Sequence, residues 1–270
     1  SDILRKNIYC HRVVCFRAFV CISSGLRRYA LRVFLFLEEI MKSFTKFELG
    51  LWAVSVSVVT ASFIIGGNFR VLTLIASLIG VTALIFVAKG DVTGQVLTVV
   101  FSVLYSVISF EFTYYGEMIT YMFMTAPIAA MSVYTWIRHP EEKGKREVSI
   151  ARLSLKKTIM LCITAVIVTV IFYFILRYFN NANLLFSTIS IITSFLASAL
   201  MLFRSSAYAL AYGANDIILI ILWVMASLED TAYLPMVMCF AMFLANDIYG
   251  FYSWQKRKKL QEEKRLCLEK

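Results

Sequence analysis

From residue 46 to residue 254 the chain is a succession of apolar runs, 46–65, 70–88, 93–111, 117–137, 157–177, 183–203, 206–227 and 232–254, most of them separated by very short polar breaks. A helix needs about 20 apolar residues to cross the ~30 Å hydrocarbon core of a bilayer, and each of these runs has about that length. Lipid offers no partner to a backbone N–H or C=O, so a crossing segment must satisfy its own hydrogen bonds as a helix. The fold class is therefore an all-α polytopic membrane protein with the lipid bilayer as its solvent. Composition agrees, with 60% of residues hydrophobic and 16% charged, against about 25% charged in an ordinary soluble domain. Loops this short leave no room for a soluble catalytic domain.

If all eight runs cross, their loops sort the basic residues sharply. Of 27 Lys and Arg, 25 fall on one side: those up to Lys46, Lys89, the group within 138–157, Arg204 and the group after Trp254. The other side keeps Arg70 and Arg177, together with Glu111, Glu117, Glu229 and Asp230. The positive-inside rule then places both termini in the cytoplasm and these acids outside. The net charge of +10 reports topology. A nucleic-acid binder would instead spread its cations over a folded surface, so no nucleic acid is expected.

Residues 1–45 mix Arg with apolar side chains too closely for a span and read as a basic N-terminal extension, cytoplasmic or interfacial. Charges interrupt the apolar core a signal peptide would need. Met41 opens MKSFTKFELG just before the first run, so residues 1–40 read as an upstream extension. Cys10, Cys15, Cys21, Cys162, Cys239 and Cys267 show no paired metal spacing, and His11 and His139 fall outside the runs. An intramembrane zinc protease and histidine acid/base chemistry at membrane depth are thereby disfavoured, and no metal or cofactor is expected.

An internal repeat is also legible. A shift of 118 residues lays 115–139 over 233–257, so that Tyr115 meets Tyr233, Met118 meets Met236 and Trp136 meets Trp254. A slightly different offset lays LIFVAK (84–89) over MLFR (201–204). The span order supports the matches, because runs two to four and six to eight form two groups of three separated by one helix. A shift of four spans preserves orientation, so the repeats are parallel, with the site between them near the midplane. The expected domains are 46–65, an additional transmembrane helix; 70–137, the first three-helix repeat; 138–156, a basic cytoplasmic loop; 157–177, a linker helix; 183–254, the second repeat; and 255–270, a basic cytoplasmic tail.

The polar residues inside the runs are the candidates for function. In the seventh run Tyr208, Tyr212, Asn215 with Asp216, Leu219 and Trp223 follow one helical stripe. An ionisable side chain inside a span faces the bundle interior or a watery cavity and marks a functional site by default; a structural Asp tying two helices together is the competing reading. In the third run Gln95, Thr98, Ser102, Tyr105 and Ser109 recur at three- and four-residue steps, offering hydrogen bonds on one face. Ser109 and Thr98 equally fit bonds to their own preceding turn. Asn246, Asp247 and Tyr249 repeat the Asn-Asp pattern in the eighth run. Asp247 lies about two turns from Trp254, where a buried hydrogen bond or ion pair near an inner gate competes with a substrate contact. Trp223 competes as a lipid-interface anchor. Pro127 favours a kink, either hinge or fixed bend, and the run Ser187, Thr188, Ser190, Thr193 and Ser194 reads as close packing.

A further signal lies in AKGDVTGQ (88–95), Tyr105, YGEM (115–118), Pro127, Trp136, NDIILIILW (215–223) and NDIYGFYSW (246–254). In combination these resemble the PnuC family of nicotinamide riboside transporters, over the second to the eighth run. The resemblance implies a fold like that of the SWEET sugar transporters: two parallel three-helix bundles joined by one linker helix (3+1+3), plus one extra N-terminal transmembrane helix. It implies import of nicotinamide riboside, a form of vitamin B3, by facilitated diffusion through a bacterial inner membrane. A cytosolic nicotinamide riboside kinase would trap the product, and the assembly would be a homotrimer. The substrate-binding set is then Gln95, Thr98, Ser102, Tyr105, Tyr212, Asn215, Asp216, Trp223, Asn246 and Asp247. Trp223, Tyr212 or Tyr105 would face the cationic ring through cation–π attraction, an Asn or Gln would answer the carboxamide, and Asp216 would supply negative potential or bond the ribose.

Other functions make different demands. A retinal-type receptor needs a Lys inside a span, and none lies in the interior of any run. A membrane-embedded enzyme would use Asp216 and Asp247 as acid/base residues or metal ligands, with few polar groups near them to assist. An ion- or proton-coupled carrier of another vitamin or a sugar is the alternative among transporters.

Overall fold

Each of the eight runs is a helix in the computed structural model of the chain, long and apolar enough to cross a bilayer. The structure describes residues 44–66, 70–112, 114–142, 144, 146–181 and 183–268. The expectations for residues 1–43, Cys10, Cys15, Cys21 and His11 among them, lie outside these. The chain divides into two units, residues 1–50 and 51–270. In the first, Thr45 and Glu48 form a capping box: the Thr45 N–H donates to Glu48 Oε2 at 2.7 Å and the Glu48 N–H to Thr45 Oγ1 at 3.2 Å, which satisfies two of the orphan donors at a helix start. Everything below, the first turn of the first helix apart, concerns the second unit.

The helices are α1 (Lys46–Ile65), α2 (Val71–Ala88), α3 (Val92–Glu111), α4 (Tyr115–Arg138), α5 (Leu155–Tyr178), α6 (Leu184–Leu202), α7 (Tyr208–Glu229) and α8 (Leu234–Leu268). The first seven keep the predicted bounds to within about two residues, as expected of boundary assignments. Helix α8 differs, because the expected tail continues it as a helix to Leu268.

Local chemistry sets the turns. Gly90 takes φ +71°, a conformation that favours glycine, and Asp91 caps α3 by accepting the Thr93 N–H at 2.8 Å. A Cβ on Gly94 would lie 2.5 Å from the Val87 nitrogen, so α3 can lie against α2 this closely only with glycine there. Within α4, residues Tyr121–Thr125 form a π-helical turn, in which the Ala126 N–H donates to the Tyr121 carbonyl. Pro127 follows two residues later; it has no N–H to give and its ring crowds the carbonyl four residues back, so the wider turn relieves an α-helix that proline would otherwise break.

Helix α2 packs on α3 and α8, α7 on α6 and α8, α3 on α4, and α4 on α6. Helix α5 packs mainly on α6 and is the least buried of the eight; its middle exposes Ile163, Val166, Val170 and Phe174, apolar side chains suited to lipid.

The loop between α4 and α5 meets three other segments. The Val148 N–H donates to the Gly90 carbonyl and the Ala151 N–H to the Arg204 carbonyl, both at 3.0 Å. Arg257 pairs with Glu147 at 2.8 Å and Lys264 with Glu141 at 3.1 Å. Gln261 holds the Ile150 N–H at 2.8 Å and the Val148 carbonyl at 3.2 Å. Four of the basic segments assigned by charge to one side, at Lys89, within 138–157, at Arg204 and after Trp254, are thus together at one end of the helices of this unit.

Pairs of positions that match under the 118-residue shift also touch. The rings of Trp136 and Trp254 lie 5.6 Å apart. Their indole N–H groups cross over, Trp136 donating to the Met201 carbonyl at the end of α6 (3.3 Å) and Trp254 to the Val87 carbonyl at the end of α2 (2.8 Å).

Candidate functional site

Six helices, α2, α3, α4, α6, α7 and α8, enclose a cavity of about 40 Å³. Seven of the ten predicted residues line it: Gln95, Thr98 and Ser102 from α3, Tyr212, Asn215 and Asp216 from α7, and Asp247 from α8. Apolar and aromatic walls come from Gly80, Ala83, Leu84 and Val87 of α2, Phe101, Tyr121, Met201 and Phe243. A larger open depression of about 470 Å³ lies between the start of α3 and the end of α4, and none of the predicted residues lines it.

Most of these polar groups are already oriented. The Thr98 hydroxyl donates to the Gly94 carbonyl and that of Ser102 to the Thr98 carbonyl, each at 2.8 Å, so both follow the own-backbone reading while still facing the cavity. Asn215 Oδ1 accepts from Thr193 (2.9 Å) and Ser194 (2.8 Å), and the Tyr212 hydroxyl meets Ser198 at 3.3 Å. The hydroxyl run of α6, expected to serve close packing, thus positions the polar face of α7. Asp216 and Asp247, each 3% exposed, both line the cavity, one from α7 and one from α8. Three buried atoms on this wall have no hydrogen-bond partner: Gln95 Nε2, Thr125 Oγ1 and Asp216 Oδ2. Such atoms cost free energy unless an occupant or water answers them.

Three predicted residues do not line the cavity. Trp223 donates its indole N–H to the Tyr105 hydroxyl at 3.0 Å, and both are buried. Trp223 is no lipid-interface anchor, since Phe112, Tyr114 and Tyr233 surround its ring. Tyr105 sits behind Tyr121, ring to ring at 4.4 Å. Asn246 turns the other way, its amide donating to Ser55 of α1 at 3.0 Å and to the Met242 carbonyl at 2.7 Å. Successive helix positions point about 100° apart, and here Asp247 faces the cavity while Asn246 faces α1.

Glu117, assigned by charge to the outer side, is buried in the first turn of α4. It is 1% exposed and accepts the Ser190 hydroxyl at 2.7 Å, between α4 and α6. Sequence reasoning also passed over Tyr121 and Thr125. The signal available for them was Pro127, whose demand on the preceding turn brings both side chains to the cavity.

A family model described as nicotinamide mononucleotide transporter matches residues 70–256. Two curated relatives are named nicotinamide riboside transporter PnuC. That of Neisseria mucosa is 23% identical over 226 residues, 82% of this chain and 86% of its own. That of Haemophilus influenzae is 23% identical over 189 residues, 70% of this chain and 80% of its own. A crystal structure of the vitamin B3 transporter PnuC has a similar fold, with a TM-score of 0.71 at 22% identity, covering 81% of this chain and 94% of that one.

Proposed function

The chain belongs to the PnuC family of nicotinamide mononucleotide transporters, and from that membership we propose that it carries nicotinamide riboside across the membrane by facilitated diffusion. It acts as a carrier rather than an enzyme, as its curated relatives are named. The observation that carries the reading is the cavity, where a carboxyl pair, an amide and tyrosine rings converge within a bundle of apolar helices and no Lys or Arg lines the wall.

Each part of the nucleoside finds a partner there. The pyridinium meets Tyr212 and Tyr121 by cation–π attraction and the carboxyl pair by charge. Gln95 answers the carboxamide, and Thr125, Thr98 and Asn215 lie beside the ribose hydroxyls. The family description names the mononucleotide and the relatives the riboside, which differ by one phosphate. A phosphate asks for Arg or Lys, so a wall without cations favours the nucleoside. At about 40 Å³ the cavity is far below the roughly 300 Å³ at which small-molecule pockets begin. The helices therefore part on binding, and Tyr105 and Trp223 join the wall as its outer end opens.

The proposed architecture is α2–α4 and α6–α8 as two parallel repeats, α5 as linker and α1 as an addition. The crossed tryptophan bonds and the Tyr105–Trp223 bond support it, since two-fold repeats bring equivalent positions together on their axis. Both termini, the 138–156 loop and the tail face the cytoplasm, in keeping with the positive-inside rule, and the membrane is a bacterial inner membrane. The family resemblance supports a homotrimer and a cytosolic nicotinamide riboside kinase that traps the product.

Titration of the purified protein with nicotinamide riboside, nicotinamide mononucleotide, thiamine, riboflavin and simple sugars tests this. Nicotinamide riboside is expected to bind tightest. Equal affinity for the mononucleotide, or preference for another compound, overturns the assignment.

A further inference from the structure

We propose that residues 147–151, in the loop between α4 and α5, form a strap that closes the basic end of the cavity and parts from the α2–α3 turn to let substrate through. The inference rests on the reading of the protein as a carrier, which must open to each face in turn.

Two layers of buried side chains stop the cavity at this end. Val87 and Met201, near the ends of α2 and α6, line it, and their carbonyls receive the indole N–H groups of Trp254 and Trp136. Tyr208 lies against Trp254, ring to ring at 4.7 Å. Val148 and Ile150 of the strap pack into the same apolar cluster as both tryptophans, Val87, Met201 and Tyr208. Trp136 and Trp254 are 0% exposed and Val148 2%, so a solute leaving by this end must displace them.

The strap bridges the two proposed repeats. Glu147 stands opposite Asp91, and Val148 opposite Pro140, as antiparallel pairs. On one side the Val148 N–H donates to the Gly90 carbonyl in the α2–α3 turn at 3.0 Å. On the other the Ala151 N–H donates to the Arg204 carbonyl at 3.0 Å, and the Arg204 side chain returns a bond to the Ser149 carbonyl at 3.1 Å. The extension of α8 beyond Trp254 reinforces that second side. Gln261 acts as a neighbouring strand would, taking the Ile150 N–H and giving to the Val148 carbonyl with one amide. Arg257 pairs with Glu147 at 2.8 Å and Arg152 with Glu262 at 2.7 Å.

These attachments are unequal. An amide, two ion pairs and the exchange with Arg204 tie the strap to α8 and the α6–α7 turn, whereas the Val148 bond ties it to the α2–α3 turn. Gly94 lets α3 lie tight on α2, so these two helices move as one hairpin. When the basic end opens, the hairpin leaves and the strap stays with α8. The bonds from Trp254 to the Val87 carbonyl (2.8 Å) and from Ser253 to the Ala88 carbonyl (2.7 Å) cross the same seam and break with it.

The experiment fixes the seam that the proposal opens. Opposed residues of an antiparallel pair have Cα atoms about 4.5–5.5 Å apart, within reach of a disulfide. Asp91→Cys with Glu147→Cys, in a cysteine-free full chain, can therefore be oxidised to join strap and turn. In liposomes the oxidised variant is expected to take up nicotinamide riboside at least about tenfold more slowly than the same protein reduced, with reduction restoring the rate. The outer end is untouched, so binding in detergent should differ by less than about threefold between the two states. Equal uptake by both states, with the disulfide confirmed by mass, overturns the proposal. Residue-resolved hydrogen exchange of the wild-type chain without substrate is the second measurement. The Val148 amide is expected to exchange about tenfold or more faster than those of Ile150 and Ala151, which stay bonded to Gln261 and Arg204. Equal protection of all three overturns the proposal. If wild type does not transport nicotinamide riboside, the proposed substrate is wrong; if the reduced variant alone does not, the paired substitution is at fault; in either case the exchange rates decide on the strap.

Discussion

Trp223 donates its indole N–H to the hydroxyl of Tyr105 at 3.0 Å, across 118 residues of chain. The two positions are equivalent under the same shift that relates Trp136 to Trp254, whose rings meet 5.6 Å apart. In the proposed two-repeat architecture equivalent positions meet on the axis between the repeats, and these contacts mark two points along it, one beside the aromatic cluster around Trp223 and one by the basic end.

The first prediction concerns this bond. Tyr105→Phe keeps the ring against Tyr121 and Phe240 but leaves the Trp223 N–H buried without an acceptor, which costs about 1–3 kcal/mol. Lower thermal stability of the detergent-solubilised protein is expected. A variant as stable as wild type would mean that the bond contributes nothing.

How far the sequence carries the cavity can be read from the expected residues that line it and those that do not. Helix bounds follow from apolar length, which lipid enforces directly, so α1 to α7 were legible. Of the stripe from Tyr208 to Trp223, Tyr212, Asn215 and Asp216 line the cavity and Trp223 does not. Trp223 lies seven residues beyond Asp216, about 10 Å along the axis, and a cavity of about 40 Å³ reaches only part of such a stripe. Asn246 was paired with Asp247 by analogy with Asn215 and Asp216, although adjacent positions diverge by about 100°; what each faces depends on the neighbouring helix, α1 for Asn246 and α6 for Asn215. Tyr121 and Thr125 were hidden because the π-helical turn rotates the face of α4, and a regular 3.6-residue period cannot anticipate that. Glu117 stood at a predicted helix end, where an acid reads as solvent-exposed; its burial depends on Ser190, which is 73 residues away.

Gly80 supplies a second prediction. A Cβ there would run into the Phe243 ring and lie 3.0 Å from Phe101 Cδ2, both on the cavity wall. Gly80→Ala is expected to destabilise the protein by about 1–3 kcal/mol through overpacking and to weaken nicotinamide riboside binding by about tenfold. Phe243→Leu in the Gly80→Ala background makes room and is expected to restore binding in part. Undiminished binding by Gly80→Ala alone would place the substrate elsewhere.

Topology is the third. Arg146 is exposed in the loop between α4 and α5, on the side that holds 25 of the 27 basic residues. In a cysteine-free background, a cysteine at Arg146 should resist a membrane-impermeant thiol reagent in intact cells and react after permeabilisation, while one at Asp230 should react in intact cells. The reverse pattern would invert the protein.

The last prediction concerns energetics of transport. A passive carrier needs only its substrate to reach either face, whereas a proton-driven one needs a carboxylate that changes charge once per cycle. In the proposed facilitated scheme neither carboxyl changes charge during the cycle, so the net charge moved is that of the pyridinium. Uptake into liposomes that contain only a trapping kinase and ATP is then expected without an imposed pH gradient, faster when the interior is made negative, because a cation crossing 100 mV gains about 2.3 kcal/mol. With the kinase omitted and no potential, the internal concentration should stop at the external one. Accumulation beyond that level driven by a pH step, and lost in Asp216→Asn, would make Asp216 the proton site and the carrier proton-coupled.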